Sequence, residues 1–288
     1  RLGIRSLRGT MGRTLSGQTA LITGASSGIG EASAVALAGL GCNLVLAARR
    51  LELLESMAVR LTAEHPGPNY LPLHLDVTEP ALMNHCVATA VERLGKVDLL
   101  INNAGTIRLD WLERQDAIRD VEQQIRVNLL GAMLMSRAVL PGMIARGSGH
   151  IINIASLASF IASPTYTGYA ASKYGLRGFS EALRREVAGA GLRVSVVYPG
   201  VVRTGFGSSD ARRRRTRVRM PRFLVLTADA VGQAVGRVAL RPRRSLVIPR
   251  TMLPVLWLNA LLPGLVDLFV LRMFTRRERE AGGPEPAA

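Results

Sequence analysis

Ala20-Leu21-Ile22-Thr23-Gly24-Ala25-Ser26-Ser27-Gly28-Ile29-Gly30 is the stretch whose reading decides the fold. A short apolar run ends at Thr23. Three glycines follow with the spacing Gly-x3-Gly-x-Gly, and an alanine-rich segment with helical spacing begins at Ile29. Glycine lets a chain turn sharply and lets its backbone approach a ligand closely. The start of a helix offers unpaired N–H groups and a partial positive charge. A glycine cluster between a strand and a helix is therefore predicted to cradle a pyrophosphate, with Gly24, Ser26, Ser27, Gly28, Ile29 and Gly30 as the contacts.

Working outward, short apolar runs alternate with longer helical patterns. Ala20–Thr23, Asn43–Ala48, Tyr70–Leu75, Val97–Asn102, His150–Ala155, Arg193–Tyr198 and Leu246–Ile248 are predicted strands. Between them, Ile29–Leu40, Leu51–Glu64, Ala81–Leu94, Asp116–Arg146 and Ala170–Ala190 carry helical spacing. Uninterrupted apolar strands separated by helices imply an α/β fold: a doubly wound, Rossmann-like, mainly parallel sheet with helices on both faces. The expected organisation is a flexible leader at 1–14 and one catalytic domain at 15–250. An apolar, basic helical extension at 251–280 and a polar tail at 281–288 follow.

The second strand ends in Ala47-Ala48-Arg49-Arg50. An NAD-binding chain usually places an acid here for the ribose 2′-hydroxyl, whereas Arg49 and Arg50 can pair with a 2′-phosphate. NADP(H) is therefore the expected cofactor, with NAD(H) second.

Tyr169-Ala170-Ala171-Ser172-Lys173 opens a long helical pattern. Residues i and i+4 share a helix face, so a phenol and an ammonium can cooperate there. The ammonium is expected to draw the phenol's pKa down toward the working range, as an acid/base at a carbonyl oxygen requires. Tyr166 and Tyr174 are competing tyrosines expected only to pack. Ser156, at the end of the fifth strand, could polarise a carbonyl, with Ser159 as its competitor. Asn128 stands in an apolar helix, where a buried structural amide is the alternative to a functional one.

The combination resembles the classical short-chain dehydrogenase/reductase family, in the glycine pattern and in the order and spacing of Asn128, Ser156, Tyr169 and Lys173. Asp76-Val77 after the third strand and Asn102-Asn103-Ala104-Gly105 after the fourth match it too, as does Pro199-Gly200-Val201-Val202-Arg203-Thr204 after the sixth. The resemblance runs from about Leu15 to about Val247 and departs from many relatives at Ser159, where they have glycine. It implies that Asn128 organises a water and proton relay, Ser156 orients the substrate and Tyr169 is the acid/base. Lys173 would bind the nicotinamide ribose and lower the tyrosine pKa. Asp76, Val77, Asn103, Ala104, Gly105, Pro199, Gly200, Val202 and Thr204 would join Tyr169 and Lys173 in holding the cofactor. It also implies a homodimer or homotetramer paired through the helix at 116–146.

Charge is unevenly placed. The formal net charge is +16, and residues 204–288 hold 16 arginines against 6 acids. Arg212–Arg219 has six arginines in eight residues, where the family places a substrate lid. A solvated strip is one reading and an anionic partner the other; the absence of interleaved aromatics places nucleic acid last. Residues 251–271 are apolar but broken by Pro254, Asn259, Pro263, Gly264 and Asp267. They read as two short helices that either anchor at an anionic membrane or cap the pocket. Cys42 and Cys86 match no disulfide or metal spacing and are expected to be buried thiols, with no metal bound. The first twenty residues show no apolar signal segment, so the expected location is cytoplasmic, with a peripheral membrane position as the alternative.

The expected activity is NADP(H)-dependent hydride transfer to or from the carbonyl or secondary alcohol of a lipophilic substrate. A 3-oxoacyl-carrier-protein reductase docking its carrier on the arginine strip is the narrower alternative. A non-catalytic dinucleotide sensor at a membrane is the alternative of a different class.

Overall fold

The computed structural model describes residues 14–204 and 225–272. Residues 1–13 of the leader, the arginine strip at 212–219 with the expected lid around it, residues 273–280 of the extension and the polar tail lie outside the described residues.

Seven strands form one parallel sheet in the order β3-β2-β1-β4-β5-β6-β9. They are β1 (Thr19–Thr23), β2 (Asn43–Ala48), β3 (Tyr70–His74), β4 (Leu99–Asn102), β5 (His150–Ile154), β6 (Arg193–Pro199) and β9 (Ser245–Ile248). Each predicted strand is present to within two residues at either end. β1, β4 and β5 are buried along their whole length, which is why their sequences run apolar without alternation. A short parallel pair, β7 (Val202–Arg203) with β8 (Leu226–Thr227), stands apart from the sheet.

Helices cover both faces. On one face α1 (Gly28–Ala38), α2 (Leu51–Glu64) and α6 (Ala228–Leu240) bury Leu37, Leu54, Leu61 and Val235 against Leu44, Leu46 and Ile101. On the other, α3 (Pro80–Leu94), α4 (Ala117–Ala145) and α5 (Thr167–Glu186) bury Met83, Met135, Val139 and Leu183 against Leu21, Val45 and Leu100. α4 is long and apolar enough to cross a membrane by composition, but its core side packs into this second layer. The α4 ladder is π-helical over Ala117–Glu122 and Arg126–Leu130, a departure from the regular helix that its spacing predicts.

After β9 come α7 (Leu253–Leu261) and α8 (Pro263–Val270), bent from one another by 110°. Cys42 and Cys86 are free, buried thiols whose pKa burial pushes up to about 12. At neutral pH they are protonated and unreactive.

Candidate functional site

The order of strands reverses direction between β1 and β4, so the carboxyl ends of these two neighbours open a crevice. The glycine turn leaves β1 at that point. Gly24 has φ +65, and a Cβ there would lie 2.9 Å from Ala104 Cα; at Gly30 a Cβ would run into the carbonyl oxygen of Gly24. Both positions therefore exclude a side chain. The turn is held from β4: Asn103 donates through Nδ2 to the carbonyls of Thr23 and Gly24, at 3.0 and 3.1 Å. The Thr23 hydroxyl accepts from the backbone N–H groups of Asn103 and Ala104, both at 3.0 Å. Asn103 thus fixes the turn.

Ser27 is the N-cap of α1, yet its side chain makes no cap hydrogen bond. Instead Arg50 donates to the hydroxyls of Ser26 and Ser27, at 3.0 and 3.1 Å. The first-turn N–H groups of α1 are thereby left for an anion, and a guanidinium is fixed beside them. Arg49 is exposed next to it. The site therefore fits a dinucleotide: a turn that admits backbone only, an uncapped helix start and a positioned cation.

Other predicted cofactor contacts take these places. Asp76 closes its own turn, accepting from the backbone N–H and hydroxyl of Thr78 at 2.9 and 2.8 Å. Val77 is buried against Gly131 of α4. Ala104 and Gly105 continue the segment that touches the turn, and Gly105 is exposed. Ile29 packs against the core below it. Pro199 ends β6, Gly200 donates to the carbonyl of Ile248 at 2.7 Å, and Val202 lies in β7. Thr204 sits against Gly28, across the mouth of the turn.

The catalytic candidates gather at the carboxyl end of β5. Tyr169 and Lys173 lie in the first two turns of α5 and are both buried. Ser156 follows β5, and its hydroxyl hydrogen-bonds the Tyr169 phenol. The Ser156 hydroxyl also accepts from the backbone N–H of Ala158 at 3.1 Å. Its competitor is excluded: Ser159 donates to the carbonyl of Lys173 at 2.9 Å, deep in the protein. Tyr166 caps α5 and packs edge-on against Tyr169 at 6.2 Å, while Tyr174 is 42% exposed on the outer face.

The expected electrostatics need correction. The Tyr169 phenol is raised, not lowered, to about 12; burial is the largest cause and the Ser156 hydrogen bond opposes it. Lys173 places Nζ 5.7 Å from the centre of the tyrosine ring and donates to the carbonyl of Ile154 at 3.0 Å. Burial lowers its pKa to about 8. Burial dominates over the Ser156 hydrogen bond, and the Tyr169 phenol is protonated at physiological pH.

Asn128 lies in the π-helical stretch of α4 and is buried. Its Oδ1 accepts from the Thr106 N–H at 2.7 Å; Nδ2 donates to the Thr106 carbonyl at 2.9 Å and to the Ser172 hydroxyl at 3.0 Å. Both amide hydrogens are engaged, so the side chain is a clamp that ties the segment after β4 to the catalytic helix.

Sequence reasoning assigned no role to Thr23, Thr106 or Ser172, which carry these clamps. Ser172 was legible as a polar residue on the inner face of α5, three positions after Tyr169. A second buried network was missed: Asn102 donates to Asn153 Oδ1 at 2.9 Å, and Asn153 to the Ser180 hydroxyl at 2.8 Å. Its signal was an asparagine following two or three apolar residues in each of two buried strands.

A family model of short chain dehydrogenases matches residues 18–215. A "Dehydrogenase/reductase SDR family protein 7-like" from Drosophila melanogaster is 40% identical over 194 residues, 66% of this chain and 59% of that protein. The match thus spans about three-fifths of the fly protein's length. An alcohol dehydrogenase from the archaeon Thermococcus sibiricus, complexed with 5-hydroxy-NADP, superposes with a TM-score of 0.72 at 31% identity, covering 80% of this chain and 95% of that one. A short chain dehydrogenase/reductase from Burkholderia phymatum in complex with NAD superposes with a TM-score of 0.76 at 28% identity, covering 85% and 94%. The glycine turn, six of the seven strands of the parallel sheet and the Ser156–Tyr169–Lys173 cluster fall within residues 18–215, and the chain belongs to the short-chain dehydrogenase/reductase family of oxidoreductases.

Proposed function

We propose that the chain, with residues 15–250 as its catalytic domain, exchanges a hydride between NADP(H) and the carbonyl or secondary alcohol of a lipophilic substrate. The observation that carries this reading is the buried phenol of Tyr169, hydrogen-bonded by Ser156 and backed by Lys173, at the same carboxyl end of the sheet as the glycine turn. When bound, the nicotinamide supplies or accepts the hydride. Gly24, Gly28 and Gly30 would leave room for a pyrophosphate, and the start of α1 would supply N–H groups to it. The Ser156 hydroxyl orients and polarises the carbonyl oxygen. Tyr169 donates the proton to that oxygen in reduction, and Lys173 contributes positive charge and a ribose contact.

NADP(H) is favoured by Arg50, a guanidinium that the Ser26 and Ser27 hydroxyls hold at the glycine turn and that could pair with a 2′-phosphate. A lipophilic substrate is supported by the cluster next to Ser156, where Leu157, Phe160 and Ile161 pack with Tyr198 and Leu253. A homo-oligomer is supported by an exposed stripe on α4 containing Leu130, Met133 and Ile144. The carrier-protein alternative rests on the arginine strip, outside the described residues.

The test is the nicotinamide absorbance of NADPH, and separately NADH, with a panel of lipophilic ketones and aldehydes. Consumption of NADPH in preference to NADH is expected. Cofactor binding without turnover on any carbonyl, or on the matching alcohols with oxidised cofactor, would move the chain to the sensor class. Light scattering that finds a monomer would remove the oligomer.

A further inference from the structure

The helical pair α7–α8 takes no part in the chemistry above, and its surface is unlike the rest of the protein. Within the two helices only Leu256 and Val266 are buried. Leu256 packs into the cluster of Leu157, Phe160 and Tyr198, and Asn259 donates through Nδ2 to the Phe160 carbonyl at 3.0 Å. One side is thus pinned to the segment that follows Ser156. The other side stands in solvent: Trp257 is 66% exposed, Leu261 72% and Phe269 59%, with Leu258, Leu265 and Leu268 between them. Exposed large apolar side chains concentrated in this way mark an interaction site.

We propose that this surface docks on the headgroup–acyl boundary of an anionic lipid leaflet. The helices have nine and eight residues, about 13 Å each at helical rise, against about 30 Å of bilayer hydrocarbon. Bent by 110°, they lie along an interface and do not cross it. Exposed Arg250 and Arg272 bracket the patch, and Arg241, Arg243 and Arg244 precede it. Asp267 is the one acid between residues 241 and 272. Guanidinium pairs with lipid phosphate, and an indole such as Trp257 suits the headgroup level. A second copy of the chain is a poorer occupant, because a two-fold contact sets the same arginine rim against itself. Docking of this face does not depend on the catalytic reading.

The experiment mixes full-length protein with vesicles of phosphatidylcholine alone, or of phosphatidylcholine with phosphatidylglycerol. It follows co-sedimentation and, in a Trp111→Phe background, the emission of Trp257. The expected result is binding to anionic vesicles with a blue-shifted Trp257 spectrum, weakened by salt. Leu261→Glu and, independently, Phe269→Glu should abolish binding with the circular dichroism spectrum unchanged. Arg250→Gln with Arg272→Gln should weaken it about thirtyfold, from the usual contribution of two arginines at an anionic surface. Folded protein that ignores anionic vesicles overturns the proposal, as does equal binding to both vesicle types. A dimer that Leu261→Glu dissociates, in the absence of vesicle binding, assigns the face to a second copy.

Discussion

The β1–α1 region and the α7–α8 pair are both rich in apolar residues, yet they do opposite things with them. In β1 every side chain is buried, and α1 loses Leu37 and Ala34 entirely to the core. In α7–α8 most apolar side chains face water. The first region is apolar because neighbouring strands and helices cover it, and the second because nothing among the described residues does. Composition alone therefore does not say whether an apolar segment belongs to a core or to a surface. The cost of removing a side chain does.

The largest effect belongs to the chemistry proposed at the carboxyl end of the sheet that the first region helps to build. Tyr169→Phe should lower turnover by about 10² to 10⁴, as for loss of a general acid, while cofactor affinity measured by fluorescence titration holds. Retention of most of the activity would reject the mechanism. Next is the direct contrast between the regions. Leu46→Ala should cost about 2–5 kcal/mol in denaturant unfolding, whereas Leu261→Ala should stay within about 0.5 kcal/mol. Equal costs would mean that α7–α8 is core after all.

A smaller effect separates the two titrating groups. Tyr169 stays protonated until about pH 12, but Lys173 loses its charge as pH rises through about 8. The kcat/KM for carbonyl reduction should therefore be level at neutral pH and fall above about 8, by about tenfold per further pH unit, because it reports the free enzyme. A profile that stays flat to high pH would show that the ammonium is not needed. The smallest effect tests cofactor choice. Arg50→Ala should weaken NADPH binding by about tenfold, the worth of one charge-assisted hydrogen bond, and leave NADH nearly unchanged. Equal loss for both cofactors would make Arg50 a brace for Ser26 and Ser27 only.

One full-length helix escaped the sequence reading. α6 carries Val231, Val235 and Val238 at helical spacing behind a Thr227 cap, whose hydroxyl accepts from the Ala230 N–H at 3.2 Å. Gly232 and Gly236 lower its helix propensity and hid the pattern. Packing against α1 overrides that cost, as burial of the valines in the same core layer indicates. The pair β7–β8 was also missed, because two-residue strands carry no periodicity that a sequence can show.

By itself the sequence determined the sheet, the glycine turn and the pairing of Tyr169 with Lys173, because each is written in local spacing. A run of β-formers, a turn that only glycine can make and a one-turn separation on a helix need no knowledge of distant residues. Only the tertiary structure decided between Ser156 and Ser159, since both are serines near a strand end and differ in what α5 brings to them. It decided likewise that Asn128 clamps Thr106 and Ser172, that Arg50 rests on Ser26 and Ser27, and that the phenol's pKa goes up. Hydrogen-bond partners and desolvation are set by residues remote in sequence, and the spacing of neighbours along the chain does not contain them.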